Sequence, residues 1–230
     1  MDLTRRQFLI YSTAAVGIVG LPLPEPAPLE PPKGKRDKWL TLATDGVGHN
    51  SESLRGYLGA IPKERRRYCL DERYPLRRCS LLIMPQLGIL DPGLVRHLTS
   101  ALKRGSTVVI ESGVGFGSYS TVCQHRHSLC EGLQIRVAAP VDLWTDRSHG
   151  QAPYIDFTWP RRAKIRDFSR VVPPAEQQGE IIAWAGDTPV AFRRQVGDGT
   201  LIYLGSPVGP ALWAGDVEAR RWLHAVALAA

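Results

Sequence analysis

Long apolar runs are missing from this chain. The mild apolar stretch at residues 8–21 is shorter than the roughly 20 residues that span a bilayer comfortably. No basic motif interleaved with aromatics is present, so nucleic acid is not an expected partner. No G-x-S-x-G elbow occurs, because Ile110 stands at the first glycine position of "IESGVG". There is no internal repeat and no sign of a second domain. The chain has four cysteines, none at the junction after the apolar stretch, which argues against a lipoprotein anchor. No small-x-small site precedes the prolines that follow, so removal and retention of the first segment both stay open. No cofactor is expected.

What is present belongs to a globular protein. The 230 residues are 43% hydrophobic and 22% charged, enough for one well-buried domain. Net charge is +7, and without the first 30 residues the balance is 27 basic against 19 acidic. Basic clusters lie at residues 33–38, 63–67, 77–78 and 161–170. They suit an anionic partner, such as a membrane surface or a polyanionic glycan, or else form solvated faces.

The opening "LTRRQFLIYSTAAVGIVGLPLP" joins Arg5-Arg6, Phe8-Leu9, an apolar run and a proline-rich segment. It resembles the signal of the twin-arginine translocation (Tat) pathway. That resemblance implies the Tat translocase as a partner during export and an extracytoplasmic, cell-envelope destination, soluble or anchored by an uncleaved segment. The expected organisation is a signal or anchor at 1–28, a stiff Pro/basic linker at 29–38 and one domain at 39–230.

Within the domain, "WLTLAT" and "CSLLIMP" read as buried strands, and "RYCL" as a short one. The stretch from Ser51 reads as a helix with Leu54, Tyr57 and Leu58 on one face and Ser51 or Ser53 as N-cap. "LDPGLVRHLTSALKRG" is a helix capped by Asp91, with Pro92 in the first turn and Gly105 closing it. "TVVIESG" is the next buried strand, and a helix follows at 119–129. The second half, "EIIAWAGDTPVAFRRQVGDGTLIYLGSPV", reads as three strands turned at Gly186-Asp187 and Gly197-Asp198-Gly199. "GDVEARRWLHAVALA" closes as a helix with Asp216 as N-cap.

This alternation predicts an α/β fold: a mostly parallel sheet with helices on both faces and an antiparallel extension in the second half. The order resembles the class I glutamine amidotransferase-like, flavodoxin-like superfamily, and in particular its non-amidotransferase (ThuA-like) branch. In that comparison Ser112 stands near the nucleophilic cysteine and Ser206 near the histidine. Thiol and base are both missing, so glutamine hydrolysis is not expected and the chain leans away from enzymatic activity.

In an open α/β sheet, ligands bind outside the carboxyl ends of the strands. The residues gathered there by sequence are Asp45, His49, Gln86, Glu111, Ser112 and Ser206, suited to a polar small molecule or glycan. Trp144, Trp159, Trp184 and Trp213 could stack on sugars, although Trp184, inside a strand pattern, reads as core. The expected function is a polar-ligand or partner-binding envelope protein with a catalytically degenerate amidotransferase-like domain. One alternative is a hydrolase using Ser112 with His49 as the best-placed base, where Glu111 could itself act as base or merely hydrogen-bond turn amides. Another is a membrane-tethered assembly subunit. "CQHRHSLC" carries four metal-ligand side chains, but His125 and His127 diverge on a helix, so no metal is expected there. The cysteines allow a local pairing of Cys69 with Cys79 and Cys123 with Cys130, or four free thiols if folding finishes before export.

Overall fold

The computed structural model describes residues 39–43, 51–63, 66–69, 79–85, 87–112, 119–144, 153–168 and 170–230. The elements run β1 (Trp39–Ala43), α1 (Ser51–Ala60), β2 (Arg66–Cys69), β3 (Cys79–Met84), α2 (Pro92–Lys103), β4 (Thr107–Glu111) and α3 (Tyr119–Leu133). They continue through β5 (Tyr154–Phe157), β6 (Ala163–Arg166), β7 (Glu180–Ala185), β8 (Thr188–Val196), β9 (Gly199–Leu204), α4 (Gly209–Trp213) and α5 (Val217–Ala229).

Local chemistry explains the boundaries. The Asp91 carboxylate accepts from the amides of Gly93 (2.7 Å) and Leu94 (3.0 Å), fixing the start of α2. Asp216 does the same for Glu218 and Ala219 at the start of α5. The hairpin turns at Gly186 (φ 58°) and Gly197 (φ 61°) need the left-handed backbone that glycine adopts without a steric cost.

The nine strands among the described residues join one sheet in the order β2-β1-β3-β4-β9-β8-β7-β5-β6. The pairings from β2 to β9 are parallel and those from β9 to β6 antiparallel, four of each. This corrects the expectation of a mostly parallel, flavodoxin-like sheet. The antiparallel strands are half of the sheet rather than an extension of it. Two of them, β5 and β6, were not foreseen, because "YIDF" and "AKIR" are too short to stand out from the polar sequence around them.

Each face carries its own core. On one, Leu81, Ile83, Val109, Ile202 and Leu204 lie with Tyr57, Leu212 and Trp222. On the other, Leu82, Met84, Val108, Ile110, Leu201 and Tyr203 lie with Leu94, Leu98, Leu102 and Leu129. β4 is buried along its whole length because β3 and β9 flank it and helices cover both its faces.

Helices α1 and α4 approach so closely that no side chain fits between them. A Cβ on Gly56 would fall on the Gly209 carbonyl oxygen, and one on Gly209 would fall on the Ser53 hydroxyl. Gly59, on the same helix as Gly56, has open space around the position of its missing Cβ. Alanine is the better helix former by ~1 kcal/mol, so the two sites should respond with opposite sign. Gly59→Ala should raise the free energy of unfolding by about 0.5–1 kcal/mol, while Gly56→Ala should lower it by roughly 1–3 kcal/mol through overpacking. Urea denaturation of the two variants beside the parent protein checks this.

Candidate functional site

β4 delivers Glu111 and Ser112 side by side at its carboxyl end, and β9 delivers Ser206 just beyond its own end. All three are buried. Asp45, His49 and Gln86 lie outside the described residues.

Glu111 is fully buried and its carboxylate is fully engaged. One oxygen, Oε1, accepts from the Tyr57 hydroxyl (2.5 Å) and from the amides of Val208 (2.8 Å) and Gly209 (3.0 Å). The other, Oε2, accepts from the Ser53 hydroxyl (2.5 Å). Ser53 and Tyr57 are four residues apart and therefore share a face of α1. Val208 and Gly209 open α4, which has no side-chain cap of its own. The carboxylate thus serves as a helix cap supplied by a distant strand. Its pKa is raised from the ordinary 4.5, chiefly by burial, against the pull of the four donors. The same burial, with the carboxylate beside it, pushes the Tyr57 phenol up.

Ser112 faces the opposite core. Its hydroxyl meets His125 Nε2 at 2.5 Å, and His125 Nδ1 lies 2.7 Å from the Gly88 carbonyl oxygen. A carbonyl can only accept, so Nδ1 carries the proton and Nε2 accepts from Ser112. Burial lowers the His125 pKa below the ordinary 6.5, against the Gly88 hydrogen bond, and keeps the ring neutral. Tyr203 completes the group. Its hydroxyl donates to the Val172 carbonyl (2.8 Å), and burial holds its phenol well above the usual range, against the opposing influence of the nearby Ser112 hydroxyl. This is a serine–histidine pair in the right tautomer, but both residues are buried, with Ser112 at 0% exposure and His125 at 1%. The Ser112 amide is bonded to the Leu204 carbonyl (2.8 Å), so the strand ladder reaches this residue.

Ser206 donates to Asp167 Oδ1 at 2.7 Å. Sequence reasoning missed Ser53, Tyr57 and Asp167 as site residues. The i, i+4 spacing of Ser53 and Tyr57, both polar-tipped on the inner face of α1, was the available signal. It also placed His125 on a surface helix, whereas His125 is buried and His127 exposed. Cys123 and Cys130 are free thiols rather than a pair, as their seven-residue separation along α3 requires. Cys69 and Cys79 lie in β2 and at the start of β3.

No family model and no curated protein matches the chain. Solved structures do. A β-galactosidase from Bacillus circulans sp. alkalophilus matches with TM-score 0.54 at 14% identity, over 80% of this chain and 31% of that one. An exo-β-1,4-mannosidase from Opitutaceae bacterium strain TAV5 matches with TM-score 0.57 at 13% identity, over 85% and 36%. A cytoplasmic protein from Salmonella typhimurium LT2 matches with TM-score 0.58 at 11% identity, over 84% of this chain and 98% of that one. The chain spans about a third of the length of the two glycosidases. At these identities the likeness is one of fold.

These matches correct the amidotransferase-like, ThuA-like resemblance: the solved structures that share this fold include a β-galactosidase and an exo-β-1,4-mannosidase. The degenerate-amidotransferase function is corrected with it. His49 lies outside the described residues, and the histidine that the Ser112 hydroxyl meets among them is His125. The leaning away from enzymatic activity rested on the same comparison and falls too, since the two neighbours are enzymes that act on glycosides.

Two of the buried titratable groups, Glu111 and His125, oppose each other in pH. Glu111 has a raised folded pKa, so between 4.5 and that value the native state holds the extra proton, and stability falls as pH rises through the window. His125 has a depressed folded pKa, so its contribution is complete above 6.5 and is lost as pH falls below that. Glu111→Gln keeps an acceptor for three donors and offers an amide to Ser53. It should abolish the first slope at little cost, whereas Glu111→Ala should lose about 3–5 kcal/mol by stranding the buried donors. His125→Gln should flatten the acid-side loss. Thermal midpoints from pH 4 to 8 for the parent and the three variants separate these effects.

Proposed function

We propose that this chain is a carbohydrate-recognising protein of glycoside processing. The observation that carries the reading is the fold shared with a β-galactosidase and an exo-β-1,4-mannosidase, over at least 80% of this chain in each case. The full-length match to a Salmonella protein supports the same fold serving as a protein in its own right. The chemistry of the described carboxyl edge directs recognition elsewhere, because Glu111, Ser112 and Ser206 spend their polar atoms on internal partners. The tryptophans are the better sugar contacts. Trp213 is 55% exposed, with the Arg55 guanidinium over its ring. Trp184 is half-buried and lies outside both cores. An extracytoplasmic location, supported by Arg5-Arg6 and the apolar run after it, belongs to the same proposal.

The purified full chain should be retained by immobilised glycans above an albumin control, and failure to bind any neutral or acidic glycan would remove the reading. Turnover of nitrophenyl galactoside or mannoside by the same preparation would add hydrolysis to recognition. For location, changing Arg5 and Arg6 together to lysine should leave the protein in the cytoplasm, as cell fractionation would show. Undiminished export of that variant would refute the assignment.

A further inference from the structure

β6 is the last strand of the sheet, and its residues alternate strictly between two environments. Ala163 and Ile165 are buried in the core that holds Trp222. Arg162, just before the strand, is in phase with Lys164 and Arg166 on the other side. Arg162 and Lys164 are exposed and Arg166 is half-exposed. Alternate residues of a strand stand ~6–7 Å apart on one face, so the three form a row of cations along the sheet margin. Aromatic rings lie beside the row. Arg166 pairs across the ladder with Tyr154 and Lys164 with Asp156, and one strand further in Asp156 pairs with Trp184. Tyr154 is 43% exposed and carries the Lys164 ammonium 5.8 Å from its ring centre. The Arg166 guanidinium stands 5.1 Å from the Phe168 ring and 5.5 Å from that of Trp144, an arrangement that holds it in place.

We infer that this face binds an acidic polysaccharide, a chain of sugars bearing carboxylates along its length. The inference rests on the carbohydrate reading above and names its surface and ligand class. A regular row of cations is complementary to a regular row of carboxylates, and the guanidinium forks of Arg162 and Arg166 can each take a carboxylate through two hydrogen bonds. Tyr154 and Trp184 offer flat, rigid apolar surface to the C–H faces of sugar rings, with polar tips at the margin. The net charge of +7 favours approach of such a ligand from a distance.

The test is titration calorimetry of the full chain with polygalacturonate, in parallel with neutral galactan, duplex DNA and phosphatidylserine vesicles. The chain should bind polygalacturonate more tightly than the other three, and added salt should weaken the binding. The double variant Arg162→Gln/Lys164→Gln should weaken it roughly tenfold and lower the salt dependence. Trp184→Ala should weaken it several-fold with the salt dependence unchanged. The residues of the double variant are exposed, and an unchanged melting temperature confirms its fold. Undiminished binding by the double variant would overturn the inference, leaving the cations as blunting groups on an edge strand. Tighter binding to DNA or to vesicles would also overturn it, in favour of that partner. Binding to galactan without binding to polygalacturonate would sink this inference and leave the broader carbohydrate reading standing, whereas binding to no glycan would sink both.

Discussion

A carboxylate with no access to water organises the centre of this molecule. Glu111 ends the buried strand β4, and its two oxygens take four donors from two other places in the sequence. Without them, a charge at that depth would cost several kcal/mol. With them, it binds the start of α4 and the inner face of α1 to the middle of the sheet. The Gly56–Gly209 contact depends on this arrangement. Two helices can touch backbone to backbone only if something fixes their ends, and here the fixed group is the same Gly209 amide that donates to Glu111.

The neighbouring residue organises the other face in a similar way. Ser112 turns toward α3 and meets a neutral histidine, which in turn reaches back to the Gly88 carbonyl. Two consecutive residues, the last of β4 and the one that follows it, therefore anchor helices on opposite sides of the sheet, as the alternation of an extended backbone allows. The pattern looks catalytic because the requirements overlap: a polar pair at a strand end, held by hydrogen bonds in a place closed to water. Access is what separates the two cases, and these groups have none.

Much of this was legible in the sequence where local rules govern. The capped helix from Pro92, the buried run at Thr107, the two glycine-marked hairpin turns and the final helix after Asp216 follow from spacing, caps and turns. The roles of Glu111, Ser112 and His125 were not legible, because burial depends on which element covers a residue, and that is decided by contacts as far apart as residues 53 and 111. Sheet composition failed for a related reason. Short strands such as Tyr154–Phe157 owe their existence to their neighbours, and their own side chains alternate too briefly to announce them. Trp184 misled in the other direction: an aromatic inside a strand pattern reads as core, yet its side of the outer strands lies outside both cores.

The position of β9 has a consequence for how the chain is made. It is the last strand in sequence, yet it lies between β4 and β8 and is the seam along which the parallel and antiparallel halves join. During synthesis, β4 must wait for some ninety residues before its second neighbour exists. Until then its open hydrogen-bonding edge, made of the apolar run Val108-Val109-Ile110, can pair with any other nascent strand. Completion of the fold is thus deferred until β9 has been made, and a holding chaperone would have its longest task on this strand.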